Sequence, residues 1–365
     1  MVLSLNVLPS VSFTSFVFGD SLVDAGNNHY LFTLSKADSP PYGIDFTTSG
    51  GKPTGRFTNG RTISDIVDEA LGAKSFPPPY LAPNTSSDAI LGGINYASGA
   101  SGILDETGTL FAGKYVAQIG RVPLREQINY FEESRAYMVN VMGEKGTKKF
   151  LRQAIFSLTI GSNDILNYFQ PSIPFIGQDK VPSTIFQHYM ISNLTTQLKR
   201  LHGLGARKFI VVGVGPLGCI PFVRALHLVS GGKCSDEVNT FIRGYNKKLN
   251  VVLGDLNQKM GPEAIFVYAN SYDIVIRIIS QYRRYGFENA DDPCCGGYFP
   301  PFVCYQGNHA STSSVLCNDR AKYVFWDAYH PTEAANVIIA EKLLNGDKTA
   351  SSPINIRELY HYNLQ

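Results

Sequence analysis

The sequence contains no run of 18 or more apolar residues, so none of its segments is predicted to span a membrane as a helix. It also lacks a predominant charge, since 32 Lys and Arg nearly balance 30 Asp and Glu, leaving a net charge of +2. Such a chain has no general electrostatic attraction to nucleic acid or to an anionic membrane. Metal-binding and phosphate-binding motifs are missing as well, and we expect no metal or nucleotide cofactor.

Internal repeats and linkers marked by a change of composition are also absent, and 365 residues suffice for a large hydrophobic core. We therefore expect a single domain over residues 16–347, after a short lead-in over residues 1–15 and before a C-terminal tail over residues 348–365. We expect the protein to be a monomer.

Six cysteines are present, none of them in a Cys-x-x-Cys pair, and this pattern favours disulfides over a zinc site. We expect Cys219 to pair with Cys234 and the other four to pair among themselves. Those four are Cys294, Cys295, Cys304 and Cys317. Disulfides indicate an oxidising compartment.

The expected location is therefore extracellular or within the secretory pathway. Two glycosylation sequons, at Asn84 and Asn193, agree with it. The N-terminus argues the other way, because residues 1–15 contain no Lys or Arg and do not resemble a signal peptide. We favour loss of the signal from this chain, since the cysteines need an explanation.

Alternating strand and helix patterns run along the chain. Apolar, β-rich runs predict buried strands at residues 13–18, 95–98, 154–160, 208–214 and 264–269. Helical patterns lie between and after them, at residues 123–142, 183–202, 235–260 and 331–344. The sequence therefore predicts a three-layer α/β/α domain around a five-stranded parallel sheet. Two long irregular insertions, residues 35–89 and 291–324, interrupt this pattern.

Ser21 is the candidate nucleophile. It follows the first predicted strand through a Gly19-Asp20 turn, at the point where we expect a helix to begin. Ligands of open parallel sheets bind at the carboxyl ends of the strands, and a helix N-terminus favours developing negative charge. Ser21 is therefore placed to attack a carbonyl and to offer its own N–H to the oxyanion. Taken alone, an ordinary N-cap serine fits this position equally well.

His330 and Asp327 are the candidate general base and its orienting carboxylate. They precede the last predicted helix, which we expect to begin with Pro331 at its first position. A carboxylate three residues before the histidine can bind one ring nitrogen and leave the other to accept the serine proton. An isolated Asp-x-x-His is more often a surface histidine beside a capping aspartate, so the hypothesis depends on the motifs taken together.

Two further motifs follow the second and third predicted strands. There, the Gly99 N–H and the Asn163 side-chain amide are expected to complete an oxyanion hole with Ser21. A plain turn and a polar helix cap are the alternatives for each motif alone. Their joint placement at one edge of one sheet indicates an acyl-transfer site.

In sequence and order these motifs resemble the plant-type GDSL esterases and lipases of the SGNH hydrolase superfamily. The resemblance rests on Phe18-Gly19-Asp20-Ser21, Asn95-Tyr96-Ala97-Ser98-Gly99, Gly161-Ser162-Asn163-Asp164 and Asp327-Ala328-Tyr329-His330-Pro331. It implies a flavodoxin-like fold, a Ser21–His330–Asp327 triad, and an oxyanion hole of Ser21, Gly99 and Asn163. Ala100 stands where a second glycine is common in that family, which makes Gly102 a minor rival of Gly99 as a donor.

The predicted function is hydrolysis of a carboxylic ester, with a small-molecule, lipid or polysaccharide (cell-wall-type) ester as substrate and no nucleic acid partner. An acyltransferase using the same triad and a non-catalytic binding protein on the same fold are the alternatives. A structural cell-wall protein is disfavoured by the absence of repeats. The aromatic residues Tyr42, Phe46 and Phe57 fit an acyl groove and a hydrophobic core equally well.

Overall fold

A computed structural model describes residues 13–83, 85, 88–107, 120–169, 181–226, 233–297, 304 and 315–364. The predicted glycosylation site at Asn84 lies outside these residues. The strands are β1 Ser15–Gly19, β2 Gly93–Asn95, β3 Ile155–Thr159, β4 Lys208–Val212, β5 Ile265–Ala269, β6 Asn289–Pro293, β7 Tyr323–Phe325 and β8 Ser351–Ser352. The first five form a parallel sheet in the order β2-β1-β3-β4-β5, which confirms the predicted α/β class and parallel sheet.

The parallel strands are buried because helices cover the sheet. The helices are α1 Ile63–Ala70, α2 Ala89–Gly92, α3 Leu124–Gln153, α4 Ser162–Phe169, α5 Ser183–Gly203, α6 Pro221–Leu226, α7 Asp236–Met260, α8 Ser271–Ser280, α9 Glu333–Asn345 and α10 Ile356–His361. One group packs α3 on α5 and α5 on α7, and the other packs α1, α8 and α10 on α9. No helix of the described residues has both the length and the apolar character needed to cross a membrane.

Aromatic contacts fix β1 between β2 and β3. Phe16 and Phe18 are fully buried, and both contact Phe131 of α3 and Phe156 of β3. Aromatic pairs of this kind add specific edge-to-face contacts to the burial of apolar area. The strand that precedes Ser21 is therefore held rigidly.

Two predicted helix starts are wrong. No helix begins at Ser21, because β1 leads into a turn in which the Val23 and Asp24 amides both donate to Asp20 O. Nor does Pro331 open the last helix: α9 starts at Glu333, and the Thr332 side chain caps it by accepting from the Ala335 amide. Threonine is a good N-cap, and here its hydroxyl outweighs the preference of proline for the first helical position.

Residues 348–364 pack against the sheet. Strand β8 pairs antiparallel with β5 as a sixth strand, and Leu359 of α10 is fully buried. The buried ammonium of Lys208 donates to Tyr360 O at 2.9 Å, and this contact ties α10 to β4.

The cysteines pair as predicted, Cys219 with Cys234 and the other four among themselves, as Cys294–Cys317 and Cys295–Cys304. The last two disulfides lie beside a small parallel sheet of β6 and β7. This pairing places the cysteine-rich segment next to the loop that follows β7.

Candidate active site

Three side chains from opposite ends of the chain meet at the carboxyl edge of the sheet. Ser21 Oγ lies 2.7 Å from His330 Nε2, although 309 positions separate the two residues. His330 Nδ1 lies 2.8 Å from each carboxylate oxygen of Asp327. The structure thus brings together the residues predicted to be nucleophile, base and orienting carboxylate.

The surroundings of Asp327 assign the proton on the histidine. Asp327 is 1% exposed, and its Oδ1 accepts hydrogen bonds from the backbone amides of Tyr329 and His330, both at 2.8 Å. A carboxylate held in this way accepts, so the Nδ1–H of His330 donates to it. Nε2 is then left with the lone pair that accepts the Ser21 hydroxyl proton.

The turn that carries Ser21 requires glycine at position 19. A Cβ atom there would lie 2.4 Å from the carbonyl oxygen of Thr159 and 2.5 Å from Cγ2 of Val23, far inside van der Waals contact. The Asp20 amide donates to the same Thr159 oxygen at 3.0 Å. Close contact with the end of β3 therefore fixes the position of Ser21.

The loop that carries His330 is held on two sides. The Trp326 amide donates to His330 O at 2.8 Å, and the Thr58 hydroxyl donates to Pro331 O at 3.0 Å. The Phe57 ring packs 5.2 Å from the imidazole, centre to centre. Phe57 and Thr58 belong to the first insertion, which therefore supplies one wall of the site.

Asp20 is a buried carboxyl group beside the triad. Its Oδ1 accepts a hydrogen bond from the amide of Leu22 at 3.0 Å, and the backbone of Ser162 at the start of α4 lies nearby. Burial raises the pKa of Asp20 to about 7, and the nearby His330 acts in the opposite direction. Its second oxygen has no hydrogen-bond partner within the described part of the chain.

The predicted oxyanion donors have different surroundings. Asn163 lies in the first turn of α4, and its side-chain amide donates one hydrogen to Ser101 O at 2.9 Å. The Gly99 amide donates to Oδ2 of the buried Asp24 at 3.0 Å.

The next residue, Ala100, has a φ of 63°, and no other non-glycine residue of the described chain has a positive φ. Gly102 faces the interior, where an added Cβ would lie 2.5 Å from the Thr107 side chain.

An apolar cavity opens next to these groups. Leu22, Ser162 and Tyr329, which are sequence neighbours of the candidate catalytic residues, line one part of it. Val275 of α8 and Ile339 of α9 line another. The walls are almost entirely hydrocarbon, as in pockets that bind apolar ligands.

Sequence reasoning missed the role of Tyr42, which it left between an acyl groove and the core. The Tyr42 hydroxyl donates to Asp327 Oδ2 at 2.9 Å, across 285 positions of sequence. Asp24 was missed in the same way, since its hydrogen bond to Gly99 spans 75 positions. In the sequence, Asp24 stands out only as a charged residue shortly after Ser21, and nothing there indicates that it binds Gly99.

A doubly wound α/β sheet with Ser, His and Asp in hydrogen-bonded series at its carboxyl edge defines a class of serine hydrolases. Within it, the chain belongs to the GDSL-like Lipase/Acylhydrolase family, whose sequence profile matches residues 16–343.

The chain is 64% identical over 351 residues to GDSL esterase/lipase At5g41890 of Arabidopsis thaliana, spanning 95% of this chain and 93% of that protein. It is 49% identical over 352 residues to GDSL esterase/lipase At4g16230 of the same plant, spanning 94% and 90%. A third relative, GDSL esterase/lipase At2g23540, is 45% identical over 350 residues, spanning 94% and 87%.

Proposed function

We propose that the protein is a serine carboxylic-ester hydrolase with Ser21 as nucleophile, His330 as general base and Asp327 as the group that orients the base. The observation that carries this proposal is the unbroken hydrogen-bond series from Ser21 Oγ through both ring nitrogens of His330 to Asp327. Membership of the GDSL-like Lipase/Acylhydrolase family supports the reaction class.

The reaction takes place in two steps. Ser21 Oγ attacks the ester carbonyl carbon while His330 Nε2 takes the hydroxyl proton, and the resulting imidazolium is stabilised by Asp327. His330 then gives this proton to the departing alcohol, which leaves an acyl group on Ser21. A water molecule, deprotonated by His330, attacks the acyl carbon and releases the carboxylic acid and free Ser21.

The oxyanion of each step needs donors that are not occupied elsewhere. Among the described residues, the Ser21 amide has no acceptor, and only one of the two Asn163 amide hydrogens has one, Ser101 O, so both groups meet this requirement. The Gly99 amide is engaged by Asp24, so we assign the third donor to the following amide, that of Ala100. The left-handed backbone of Ala100 supports this assignment, because such strain concentrates at functional sites.

The apolar cavity favours an ester whose acyl group is an aliphatic chain. Burial of each methylene is worth roughly 0.8 kcal/mol, so a chain that fills this cavity gains binding energy that an acetyl group does not. A lipid ester is therefore the preferred substrate class, ahead of an acetylated polysaccharide. A series of p-nitrophenyl esters from acetate to palmitate tests it, and highest kcat/KM with acetate would contradict it.

The cellular location is proposed to be the secretory pathway or the extracellular space. Three disulfides support this location, because they form in oxidising compartments. Asn193 lies within α5, where its side chain donates to Tyr189 O, and its glycosylation stays a prediction. The monomeric state is also a prediction, and light scattering of the purified chain tests it.

Labelling with a fluorophosphonate tests the proposed nucleophile. We expect the wild type to be labelled, Ser21→Ala to lose the label, and Ser134→Ala, which removes a buried serine hydroxyl bonded to Tyr130 O, to keep it. If Ser21→Ala were still labelled, Ser21 would not be the nucleophile. A folded wild type without label or activity would favour the binding protein, and esters formed with added alcohol would favour the acyltransferase.

A further inference from the structure

Tyr42 shares one oxygen of Asp327 with the imidazole of His330. Its hydroxyl donates to Oδ2 at 2.9 Å, and His330 Nδ1 lies 2.8 Å from that same oxygen. The other oxygen, Oδ1, receives the two backbone amides of the His330 loop. Tyr42, a residue of the first insertion, is therefore a side-chain donor to the negatively charged carboxylate of the triad.

The Tyr42 hydroxyl is a permanent donor. The residue is 2% exposed, and its ring packs edge-on against Trp326 and Phe57, with centroids 6.0 and 6.3 Å away. Burial, followed by the negative charge of Asp327, raises the pKa of Tyr42 well above its usual value. The phenol therefore keeps its proton, and stays a donor, at neutral pH.

The cysteine-rich segment holds Tyr42 from the other side. The backbone of Cys304 lies beside the Tyr42 hydroxyl in one buried cluster, and a disulfide joins Cys304 to Cys295. The Cys295 amide in turn donates to the carbonyl oxygen of Trp326, the residue before Asp327, at 2.7 Å. One disulfide thus connects the backbone next to Asp327 with the hydroxyl that contacts its carboxylate.

We propose that Tyr42 is a positioning residue that fixes the orientation and the effective charge of Asp327, and that the Cys295–Cys304 disulfide holds Tyr42 in place. This inference rests on the proposed hydrolase function, since it assigns a role within the triad.

The mechanism predicts a shift of the pH profile. Tyr42 takes up part of the negative charge of Asp327; without its hydroxyl, more of that charge attracts the imidazolium. His330 then keeps its proton to higher pH, so the neutral imidazole that acts as the base forms only at higher pH. Among the described residues, the other titratable groups that face the pair are Asp20, within electrostatic range of His330, and Tyr329, within range of both Asp327 and Tyr42; both side chains are kept in Tyr42→Phe.

The test compares Tyr42→Phe with Tyr96→Phe. Both remove a buried tyrosine hydroxyl that donates at 2.9 Å, but Tyr96 donates to Ser134 Oγ in the core. For Tyr42→Phe we expect the acid limb of kcat/KM to move up by about half a pH unit or more, and kcat to fall roughly 3- to 10-fold with little change in KM. Tyr96→Phe should leave the limb in place.

A second readout needs no substrate. We expect the proton between His330 Nδ1 and Asp327 to give a low-field NMR resonance at acid pH, which Tyr42→Phe should displace and Tyr96→Phe should not. If Tyr42→Phe does not fold, Tyr42→3-fluorotyrosine, a stronger donor, should displace the resonance in the opposite sense and move the acid limb down.

The outcomes separate this inference from the proposed function. An active Tyr42→Phe enzyme with an unchanged limb and an unchanged resonance would overturn the role of Tyr42 and leave the hydrolase assignment intact. An inactive and unlabelled wild type would overturn the hydrolase assignment, and the resonance would still show whether Tyr42 positions Asp327.

Discussion

The backbone amide of Gly99 donates to Oδ2 of the buried Asp24 at 3.0 Å. Asp24 also accepts the amides of Gly26 and Asn27, both at 2.7 Å through Oδ1, so this carboxylate organises the turn after Ser21. The hydrogen bond to Gly99 draws the loop after β2 onto that turn. Because the Gly99 amide donates there, we propose that neighbouring groups complete the oxyanion hole, and the first two predictions test this proposal.

Replacement of Asn163 by alanine should reduce kcat by roughly 10²–10³-fold, since a single oxyanion donor is lost. Asn193→Ala is the matched control, because the Asn193 amide also donates to a backbone carbonyl at 2.9 Å but lies on α5. Steady-state kinetics on one ester measure both variants. Equal activity of the two would remove Asn163 from the oxyanion hole.

Ala100→Gly should stabilise the protein and leave its activity intact. An alanine in the left-handed region costs about 1 kcal/mol that glycine does not, and the substitution keeps the backbone N–H assigned to the oxyanion. Thermal unfolding and kcat/KM are the measurements. Ala97→Gly, at a buried position without a positive φ, should lower the melting temperature instead. A loss of stability in Ala100→Gly would contradict the strain argument.

Stability should fall as the pH rises from about 4 to about 8. Burial raises the pKa of Asp68 from 3.8 to about 8 and that of Asp20 to about 7. Between these pH values the folded state binds more protons than the unfolded state, so the free energy of unfolding decreases with pH.

Asp68→Asn tests this dependence, because Asp68 accepts a hydrogen bond from the Ser15 hydroxyl and lies outside the triad. The variant should show a shallower decline of melting temperature with pH. A slope equal to that of the wild type would show that Asp68 ionises normally.

Val275→Phe should shorten the preferred acyl chain. Val275 is a half-buried residue of α8 on the cavity wall, so a larger ring there fills space that the chain would occupy. We expect kcat/KM for palmitate relative to butyrate esters to fall about tenfold or more, which corresponds to roughly two lost methylene contacts. Val251→Phe, at a position 58% exposed on α7, is the control and should keep the ratio.

Loss of the Cys295–Cys304 disulfide should move the acid limb of kcat/KM in the same direction as Tyr42→Phe, because Cys304 is no longer held beside the Tyr42 hydroxyl. The double variant Cys295→Ala/Cys304→Ala measures this effect. Cys219→Ala/Cys234→Ala removes a disulfide of longer separation, 15 residues instead of 9, and should lower stability without moving the limb. If both double variants gave the same pH profile of kcat/KM, the cysteine-rich segment would have no specific influence on the triad.

The sequence was informative where hydrophobic pattern decides structure. Buried parallel strands are apolar on both sides, so the five central strands could be placed within a few residues of their true ends. Strand β8 could not, because Ser351-Ser352 carries no apolar pattern and pairs only because the chain returns along β5. The start of α9 was wrong because Pro331 and Thr332 are both N-terminal signals, and only the three-dimensional structure selects between them.

The candidate site was predictable where motifs are local. Asp327 and His330 are three residues apart, and Ser21 follows a recognisable strand, so their roles could be hypothesised from the sequence alone. Tyr42 lies in an irregular insertion, and its contact depends on how that insertion folds over a loop 285 positions away. Which of the consecutive amides of Gly99 and Ala100 is free depends on backbone dihedral angles and on Asp24, which composition does not reveal.

The distance of 309 positions between Ser21 and His330 also has a consequence during biosynthesis. The ribosome adds the Ser21 hydroxyl long before the His330 imidazole, so a nascent chain that already contains β1 to β5 still lacks its proton acceptor. Ester turnover therefore begins only after the last strand–loop–helix unit has docked, and its onset reports in real time on completion of the fold.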